Sequence, residues 1–373
     1  MNYPTLSLLQ AKEAVRDGAE CGEPTLLLGQ PGIGKTEMVA QFAAEIGKLF
    51  VPVEAGLIPD EEIGGLFRFN HTTGRVERVP ITVIRQACEQ ACVLFLDEIT
   101  RCTLQRQGVL MTITNERRVG DFALHPGTVV VLAGNGGESA GTHGVVDALL
   151  NRCNVIEVVA KRAEVSAYLR TLGQPARPQV VDAAGNVTDA GCTGTLRDLG
   201  VDYAATADRR PDLIAESMPK GAADNGILWP SPRAVVKALK RLAVRIDGGR
   251  DVTGDVGFAA LAGNMGSEAA AAYISVRKLR DKLPTVEEIV KDPLHAKVPP
   301  DTESGIAALG LIAMSAEKSK DSAWLYTDRL KDPETQAAIT RSMLSKIPTN
   351  PAALAVFSKL SGQAARSMKR TAT

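Results

Sequence analysis

The residues whose spacing is most specific for chemistry lie near the start of the chain, in a glycine-rich segment that ends in lysine and threonine. Its sequence is Gly29-Gln30-Pro31-Gly32-Ile33-Gly34-Lys35-Thr36. Glycines in such a segment let the backbone N–H groups turn toward the β- and γ-phosphates of a nucleotide, and the following helix presents its N-terminus to the same anion. Lys35 would neutralise phosphate charge, and the Thr36 hydroxyl would hold Mg²⁺. The segment therefore predicts a binding loop for a nucleoside triphosphate and magnesium.

Two carboxylates end a second distinctive segment, Val93-Leu94-Phe95-Leu96-Asp97-Glu98. Its apolar residues predict a buried strand whose C-terminal end carries both acids. Asp97 would meet Mg²⁺ through water, and Glu98 would orient and polarise an attacking water. Two acids at a strand end are common, but they are specific when they follow a phosphate-binding loop by about 60 residues. The second acid favours hydrolysis over transfer, because hydrolysis needs a positioned water.

A third candidate, Asn135, follows the apolar run Val129-Val130-Val131-Leu132. Ligands of open parallel sheets bind at the carboxyl ends of the strands. The Asn135 amide could therefore hydrogen-bond the γ-phosphate and the attacking water. Because Asn135 stands between two glycines, a purely turn-forming role is the alternative.

Short apolar runs alternate with helical patterns over the first 160 residues. This alternation predicts a parallel sheet with helices on both faces. We predict strands at 25–28, 49–53, 91–96, 128–133 and 154–159, and helices at 36–46, 81–90, 103–114 and 145–152. Turn residues predict two β-hairpins, at 65–80 and at 117–127.

The second half of the chain has a different composition. Gly, Pro, Asp and Ala dominate 171–229, which predicts a long irregular insert, either a linker or a binding loop. A helix is predicted from Ser231-Pro232-Arg233 to about Ile246, because serine can cap a helix and proline fits the first helical position. Residues 255–366 are alanine-rich and helical in pattern, with breaks at prolines.

The composition limits the function classes. The chain has 373 residues, with 43 Lys and Arg against 43 Asp and Glu and only 4% aromatic residues. Zero net charge argues against a general nucleic-acid coat, though not against a local basic patch, and few aromatics argue against base-stacking platforms. No apolar run approaches the roughly 20 residues of a membrane span. The first nine residues lack secretory-signal features, and six scattered cysteines suit free thiols, so we expect a cytoplasmic location.

Taken together, these motifs resemble those of a MoxR-type ATPase, in the helix-2-insert group of the AAA+ superfamily. The glycine loop, the Asp97-Glu98 pair and Asn135 match that family's Walker A, Walker B and sensor 1 positions. Residues 65–80 match its helix-2 insert, and 116–119 match the stretch before its pre-sensor hairpin. The resemblance is close over 20–160 and 228–245 and loose over 255–345. The 171–229 stretch has no counterpart in the family.

The resemblance also assigns roles to two arginines. Arg152, in Ala148-Leu149-Leu150-Asn151-Arg152, matches the arginine finger that reaches the γ-phosphate bound by a neighbouring subunit. Such a finger contributes about 10³–10⁵ in rate. Cys153 stands where the family usually has Phe. A surface or interface ion pair is the alternative for Arg152, and Arg101 is a competing candidate for the contact in trans.

Arg233, in Ser231-Pro232-Arg233-Ala234, resembles the family's sensor 2. A cation at a helix N-terminus is disfavoured unless an anion lies near it. A phosphate would satisfy that condition, and so would a carboxylate.

The resemblance implies an α/β architecture and a mode of action. We expect an AAA+ core with a five-stranded parallel sheet between helices over 1–165, a lid domain over 166–290 and a helical C-terminal extension over 291–373. The implied activity is Mg²⁺-dependent ATP hydrolysis at the subunit interfaces of a ring, usually a hexamer. The output would be chaperone-like remodelling or assembly of a protein client, with a von Willebrand factor A domain protein as partner.

Two other functions stay open. A nucleic-acid motor would present basic hairpins, and five arginines lie in or beside the two hairpins: Arg68, Arg75, Arg78, Arg117 and Arg118. Stimulation of the ATPase by DNA would identify it. A nucleotide-dependent switch or scaffold would not hydrolyse, and Glu98 argues against it because such a protein needs no acid to polarise water.

Overall fold

The computed structural model describes residues 3–136, 144–172, 180–181, 187–188, 194–222, 225–279, 283–300 and 302–370. The chain divides into two compact units. The first comprises Met1–Lys161 with Pro175–Gly191, and the second comprises Arg162–Gln174 with Cys192–Thr373. Each unit has a hydrophobic core of its own. Among the described residues, no helix is long and apolar enough to cross a bilayer.

The strands belong to the first unit. In chain order they are β1 Thr5–Ser7, β2 Thr25–Leu28, β3 Leu49–Glu54, β4 Leu66–Asn70, β5 Arg75–Val79, β6 Cys92–Asp97, β7 Arg118–Val119, β8 Phe122–Ala123, β9 Val129–Gly134, β10 Asn154–Val159, β11 Val180–Val181 and β12 Val187–Thr188. Eight of them form one sheet in the order β1-β10-β2-β9-β6-β3-β11-β12. Its pairs are parallel except for β11 with β12.

The α/β fold with a central parallel sheet is confirmed, and all five predicted strands are present, as β2, β3, β6, β9 and β10. The predicted width of five strands is wrong. β1 extends one edge beside β10, and β11 with β12 extends the other edge beside β3. These added strands have two or three residues each, which is too short for a periodic pattern to indicate them.

Burial explains why the central strands are continuously apolar. Every residue of β2 and β9 is buried, and β6 is buried up to Asp97. Strands covered on both faces need apolar side chains at every position. The register pairs Leu28 with Gly134 and Glu54 with Asp97, so these strands end at the same edge of the sheet. That edge receives the glycine loop, the two acids and Asn135.

The helices of the first unit are α1 Leu8–Cys21, α2 Lys35–Glu45, α3 Asp60–Ile63, α4 Thr82–Glu89, α5 Leu104–Asn115 and α6 Asp147–Leu150. The predicted helices are present as α2, α4, α5 and α6, whereas α1 and α3 were not predicted. α6 is shorter than the predicted helix over 145–152. Val146 is extended, and its N–H donates to Gln107 Oε1 at 2.8 Å, so the chain enters α6 only after that bond.

Both predicted hairpins form. In the first, β4 pairs antiparallel with β5, and in the second β7 pairs with β8. The two hairpins are joined by hydrogen bonds: Arg78 N–H donates to Asp121 Oδ2 at 2.7 Å, and Asp121 N–H donates to Arg78 O at 3.0 Å. Gly120 has φ +56°, and a Cβ there would lie 2.4 Å from Arg78 O. Only glycine allows this close approach.

The second unit is helical. Its helices are α7 Arg162–Arg170, α8 Gly194–Ala207, α9 Pro232–Asp247, α10 Asp255–Met265, α11 Ser267–Lys278, α12 Val286–Lys291, α13 Thr302–Lys318, α14 Lys320–Asp328, α15 Pro333–Met343 and α16 Pro351–Arg370. α9 begins as predicted, because the Ser231 side chain accepts a hydrogen bond from Ala234 N–H at 3.2 Å and Pro232 follows the cap. The boundary expected near 290 stays a prediction.

The prediction of an irregular segment over the whole of 171–229 is wrong for α8. Residues 199–207 of this helix are all buried. A helix that is buried on every side has no amphipathic period, so its pattern looks weak in the sequence. Other parts of this segment, 173–179, 182–186, 189–193 and 223–224, lie outside the described residues.

Candidate functional site

The glycine loop connects β2 to α2 and is shaped by its glycines. Gly32 has φ +80° and Gly34 has φ +112°, conformations that residues with a Cβ rarely adopt. Gly29 is required for a different reason, because a Cβ there would lie 2.5 Å from Val158 O of β10. The loop therefore curves closely over the sheet edge and leads directly into the N-terminus of α2.

Lys35 lies at the beginning of α2 and is almost completely buried, with 7% of its surface exposed. Its Nζ donates to Gly29 O at 2.7 Å and to Gln30 O at 3.1 Å. The ammonium group is thus held across the loop by carbonyl oxygens. A phosphate entering the loop would meet a positive charge that is already positioned.

Thr36 and Asp97 come together although they are far apart in the sequence. Thr36 Oγ1 donates to Asp97 Oδ2 at 3.0 Å, and Asp97 Oδ1 accepts from Glu98 N–H at 2.8 Å. A hydroxyl and a carboxylate are oxygen ligands suited to Mg²⁺, which takes one or two protein oxygens together with phosphates and water. The described residues contain no cluster of three or more His, Cys, Asp or Glu that could hold a metal alone. The Thr36 hydroxyl and the Asp97 carboxylate are the two oxygen ligands that would hold a magnesium ion bound together with nucleotide phosphates.

Glu98 is held in an unusual conformation and in an ion pair. It has φ 58° and ψ 32°, a left-handed backbone that is strained for a residue with a side chain. Its Oε2 accepts from Arg101 Nη1 at 2.8 Å. Gly56 packs beside both, because a Cβ there would lie 3.1 Å from Arg101 Cβ and 3.2 Å from Glu98 O. Arg101, the competing candidate for a contact in trans, is paired here within its own chain.

The backbone around Asn135 is hydrogen-bonded to the glycine loop and to Thr100, which follows the two acids. Asn135 N–H donates to Thr100 Oγ1 at 3.1 Å, and Thr100 is 3% exposed. On either side of it, Gly29 N–H donates to Gly134 O at 3.2 Å and Gly136 N–H donates to Gly29 O at 3.3 Å. Thr100 was not predicted as a site residue. The sequence feature that could have indicated Thr100 is a hydroxyl three residues after Asp97. This spacing becomes informative once β6 and β9 are known to be neighbours.

The two arginines that were assigned roles by resemblance, Arg152 and Arg233, are both exposed. Arg152 follows α6, is exposed, and donates to Ala148 O at 2.6 Å. Arg233 is exposed at the N-terminus of α9, in the second unit. Neither forms an ion pair with any residue that the structure describes. The first unit therefore brings together the glycine loop, both acids and Asn135, whereas these two arginines present their side chains to solvent.

Beside Arg152, Cys153 is a partly buried thiol that packs against the core of the first unit. Burial raises the pKa of Cys153 to about 12. The same cause, burial, raises the pKa of Cys92 in β6 to about 11, and the hydrogen bond with Thr128 lowers it in part. Both thiols stay protonated near neutral pH, so neither is a nucleophile.

Part of the chain matches a known protein family. Residues 24–136 match the family described as the AAA domain of the dynein-related subfamily. This segment contains the glycine loop, Asp97, Glu98 and Asn135.

Two curated relatives match a similar length of chain. A Lon protease of Leptospira interrogans is 34% identical over 107 residues, which are 28% of this chain and 12% of the relative. A Lon protease of Methylocella silvestris is 37% identical over 101 residues, which are 26% of this chain and 12% of the relative. The chain therefore matches only a small part of these longer proteins.

Solved structures similar to the chain include two bacterial proteins. NtrX from Brucella abortus is 14% identical with a TM-score of 0.39, and the match covers 94% of this chain and 67% of NtrX. The RuvB Holliday junction branch migration motor of Thermotoga maritima is 13% identical with a TM-score of 0.35, over 77% of this chain and 75% of RuvB.

Proposed function

We propose that this chain, whose residues 24–136 form an AAA-type domain of the dynein-related subfamily, is a MoxR-like AAA+ ATPase that hydrolyses ATP to remodel a protein client. One observation carries the proposal. Thr36 Oγ1 and Asp97 Oδ2 lie 3.0 Å apart at the mouth of a loop that already holds Lys35 Nζ. A loop, a cation and two oxygen ligands in this arrangement suit a triphosphate with its magnesium ion.

Binding of ATP would use groups that are already oriented. The N-terminus of α2 and the loop N–H groups favour an anion, and Lys35 would exchange its carbonyl partners for phosphate oxygens. Thr36 and Asp97 would hold Mg²⁺. When bound, magnesium neutralises charge that develops on the phosphoryl oxygens.

Hydrolysis would be helped by a change of partner at Glu98. In this structure its Oε2 accepts from Arg101 at 2.8 Å, so an attacking water would share the carboxylate with a guanidinium. Release from Arg101 would free the carboxylate as a general base, a role that contributes about 10²–10⁴ in rate. Asn135, held at the end of β9 by Thr100, would orient the γ-phosphate and the water.

The remaining charge would come from a neighbouring subunit. Arg152 is exposed and forms no ion pair with the described residues, so its guanidinium could exchange its hydrogen bond to Ala148 O for a phosphate bound by another copy. Arg233 is also exposed and would act as sensor 2. Contact of Arg152 with a nucleotide bound by another copy requires assembly of this chain, for which we propose a hexameric ring with a cytoplasmic location.

The client would contact the first hairpin. One face of it carries Phe67, Phe69 and Val76, which are 71%, 52% and 63% exposed. Because this hairpin is hydrogen-bonded to the second through Asp121, the two hairpins would move together. A partner with a von Willebrand factor A domain rests on the resemblance to MoxR-type proteins alone.

A nucleic-acid motor is the second candidate, and one observation favours it. The Arg78 guanidinium carbon lies 4.8 Å from the centre of the Phe67 ring, an arrangement that also suits a nucleobase and its phosphate. Addition of single-stranded DNA or RNA would stimulate ATPase activity of such a motor and leave a protein remodeller unchanged.

The decisive experiment uses Glu98→Gln, which keeps the size of the side chain and removes its charge. We expect nucleotide binding close to that of the unchanged protein and turnover reduced about 10²-fold or more. Glu116→Gln, at an exposed acid of the same unit, is the matched control and should retain full turnover. Pull-down with the ATP-bound Glu98→Gln protein should retain the client. Normal turnover of Glu98→Gln would remove Glu98 from this role.

A further inference from the structure

Two helices of the chain present faces of opposite charge to solvent. On α1, Glu13, Asp17 and Glu20 are all exposed, at positions i, i+4 and i+7; we call these residues the acidic face. On α9, Lys237, Lys240 and Arg241 are all exposed, at positions i, i+3 and i+4; we call these the basic face. None of the six side chains forms an ion pair with a described residue.

The acidic face is left unbalanced by the contacts of its own helix. The two basic residues of α1, Lys12 and Arg16, both bind Glu45 of α2, at 2.6 and 2.8 Å. Their charge is therefore used elsewhere. Glu20 also lies in the last turn of α1, where the helix dipole disfavours an acid.

The basic face is equally unbalanced. The single acid of α9, Asp247, is its last residue and accepts a hydrogen bond from Thr195. Lys237 and Arg241 are four residues apart, and like charges at this spacing repel each other and weaken a helix.

The two faces carry the same number of charges and opposite signs, the acidic face over residues 13–20 and the basic face over residues 237–241. Each carries three charges within about two helical turns, and the chain as a whole has zero net charge. If α1 and α9 pack antiparallel, the N-terminus of α9 lies beside the C-terminus of α1, so the two helix dipoles attract. The same chain therefore carries both an acidic surface and the basic surface that could bind it.

We propose that the acidic face of one copy of this chain binds the basic face of the next copy. The two faces are different surfaces, so the contact is heterologous and repeats from copy to copy, which produces a ring if the rotation closes. The proposal rests on the ring assembly proposed above and assigns surfaces to it. Complementary charge at such a contact sets the register and the rate of association.

Charge reversal of each face provides the test. The first variant reverses the acidic face by Glu13→Lys, Asp17→Lys and Glu20→Lys, and the second reverses the basic face by Lys237→Glu, Lys240→Glu and Arg241→Glu. Each variant alone carries like charges on both faces and should need at least a tenfold higher concentration for half-assembly, measured by sedimentation velocity with a slowly hydrolysed ATP analogue. An equimolar mixture of the two restores opposite charges at every contact and should assemble as the unchanged protein does.

Matched controls separate the face from net charge and folding. Reversal of three exposed lysines elsewhere, by Lys161→Glu, Lys220→Glu and Lys291→Glu, changes the net charge by the same amount and sign as the second variant and should leave assembly unchanged. A chain that carries both face reversals should assemble again, which also shows that the substituted helices fold.

Four results would overturn the proposal. If both variants assemble normally while the unchanged protein forms rings, the ring stands and these faces are not its contact. Failure of the mixture, together with rescue in the doubly reversed chain, would show that the faces pair within one chain. Loss of binding to a labelled DNA duplex in the second variant, with assembly unchanged, would assign the basic face to nucleic acid. A monomeric unchanged protein would refute the proposed ring itself, and with it this contact.

Discussion

The hydrogen bond from Asn135 N–H to Thr100 Oγ1 predicts a specific effect of Thr100→Val. Valine keeps the shape of threonine but cannot accept this bond of 3.1 Å. Because Thr100 is 3% exposed, water cannot easily replace the hydroxyl. An unsatisfied buried donor costs about 1–3 kcal/mol. Since Asn135 is only half-buried, we expect about 1 kcal/mol, which lowers the Tm of a unit of this size by about 2–4 °C.

The effect on catalysis should exceed the effect on stability. Without the Thr100 bond, the end of β9 is held by Gly29 and the sheet alone, and the Asn135 amide loses its fixed position. Misplacement of a catalytic group by about 1 Å can cost about 10²-fold. We therefore expect turnover to fall by between about ten- and a hundredfold. Nucleotide affinity should stay nearly constant, because Lys35 and the glycine loop keep their contacts.

Thr100→Ser is the matched control. It keeps the hydroxyl and removes the methyl group, which packs at Gly134, where a Cβ would lie 2.7 Å from Thr100 Cγ2. Loss of a buried methyl costs about 0.8 kcal/mol, so both variants should lose similar stability in thermal unfolding. Steady-state ATPase assays should then separate them, with serine near full turnover and valine impaired. Equal turnover of the two variants would refute the assignment of Thr100 as the residue that positions Asn135.

Two further predictions concern the interface arginine and the buried thiols. Arg152→Ala and Lys35→Ala should each be inactive alone, and ATPase activity should return in their mixture, because an intact loop then meets an intact arginine at some interfaces; a mixture without activity would place Arg152 outside the neighbouring site. Burial raises the pKa of Cys92 to about 11 and that of Cys153 to about 12, from 9.0 in the unfolded chain. The folded state therefore holds these protons more tightly, and their contribution to stability is complete below about pH 9 and is lost as the pH rises toward those values. Urea unfolding at pH 8 and pH 10.5 should show a smaller pH-dependent loss for Cys153→Ala than for the unchanged protein, and an equal loss would contradict the buried-thiol assignment.

Local patterns accounted for the elements that carry the site. β2, β6 and β9 were predictable because strands buried on both faces are continuously apolar, and α9 because Ser231 and Pro232 mark a helix start. α8 was not predictable by the same logic. Its residues are buried on nearly every side, so it has neither the polar face of a surface helix nor the length of a membrane span.

The sequence by itself determined which side chains can do chemistry: the glycine loop, Lys35, Thr36, Asp97 and Glu98 are specified by residue type and spacing along the chain. The motifs also predicted that Thr36 and Asp97 serve one magnesium ion, although they are 61 residues apart. Tertiary structure alone decided that Thr100 reaches Asn135, because β6 and β9 are neighbours in the sheet. Strand order depends on packing over the whole unit, whereas a motif depends on a few consecutive residues. For that reason the Glu98–Arg101 ion pair and the joined hairpins were visible only in the folded chain.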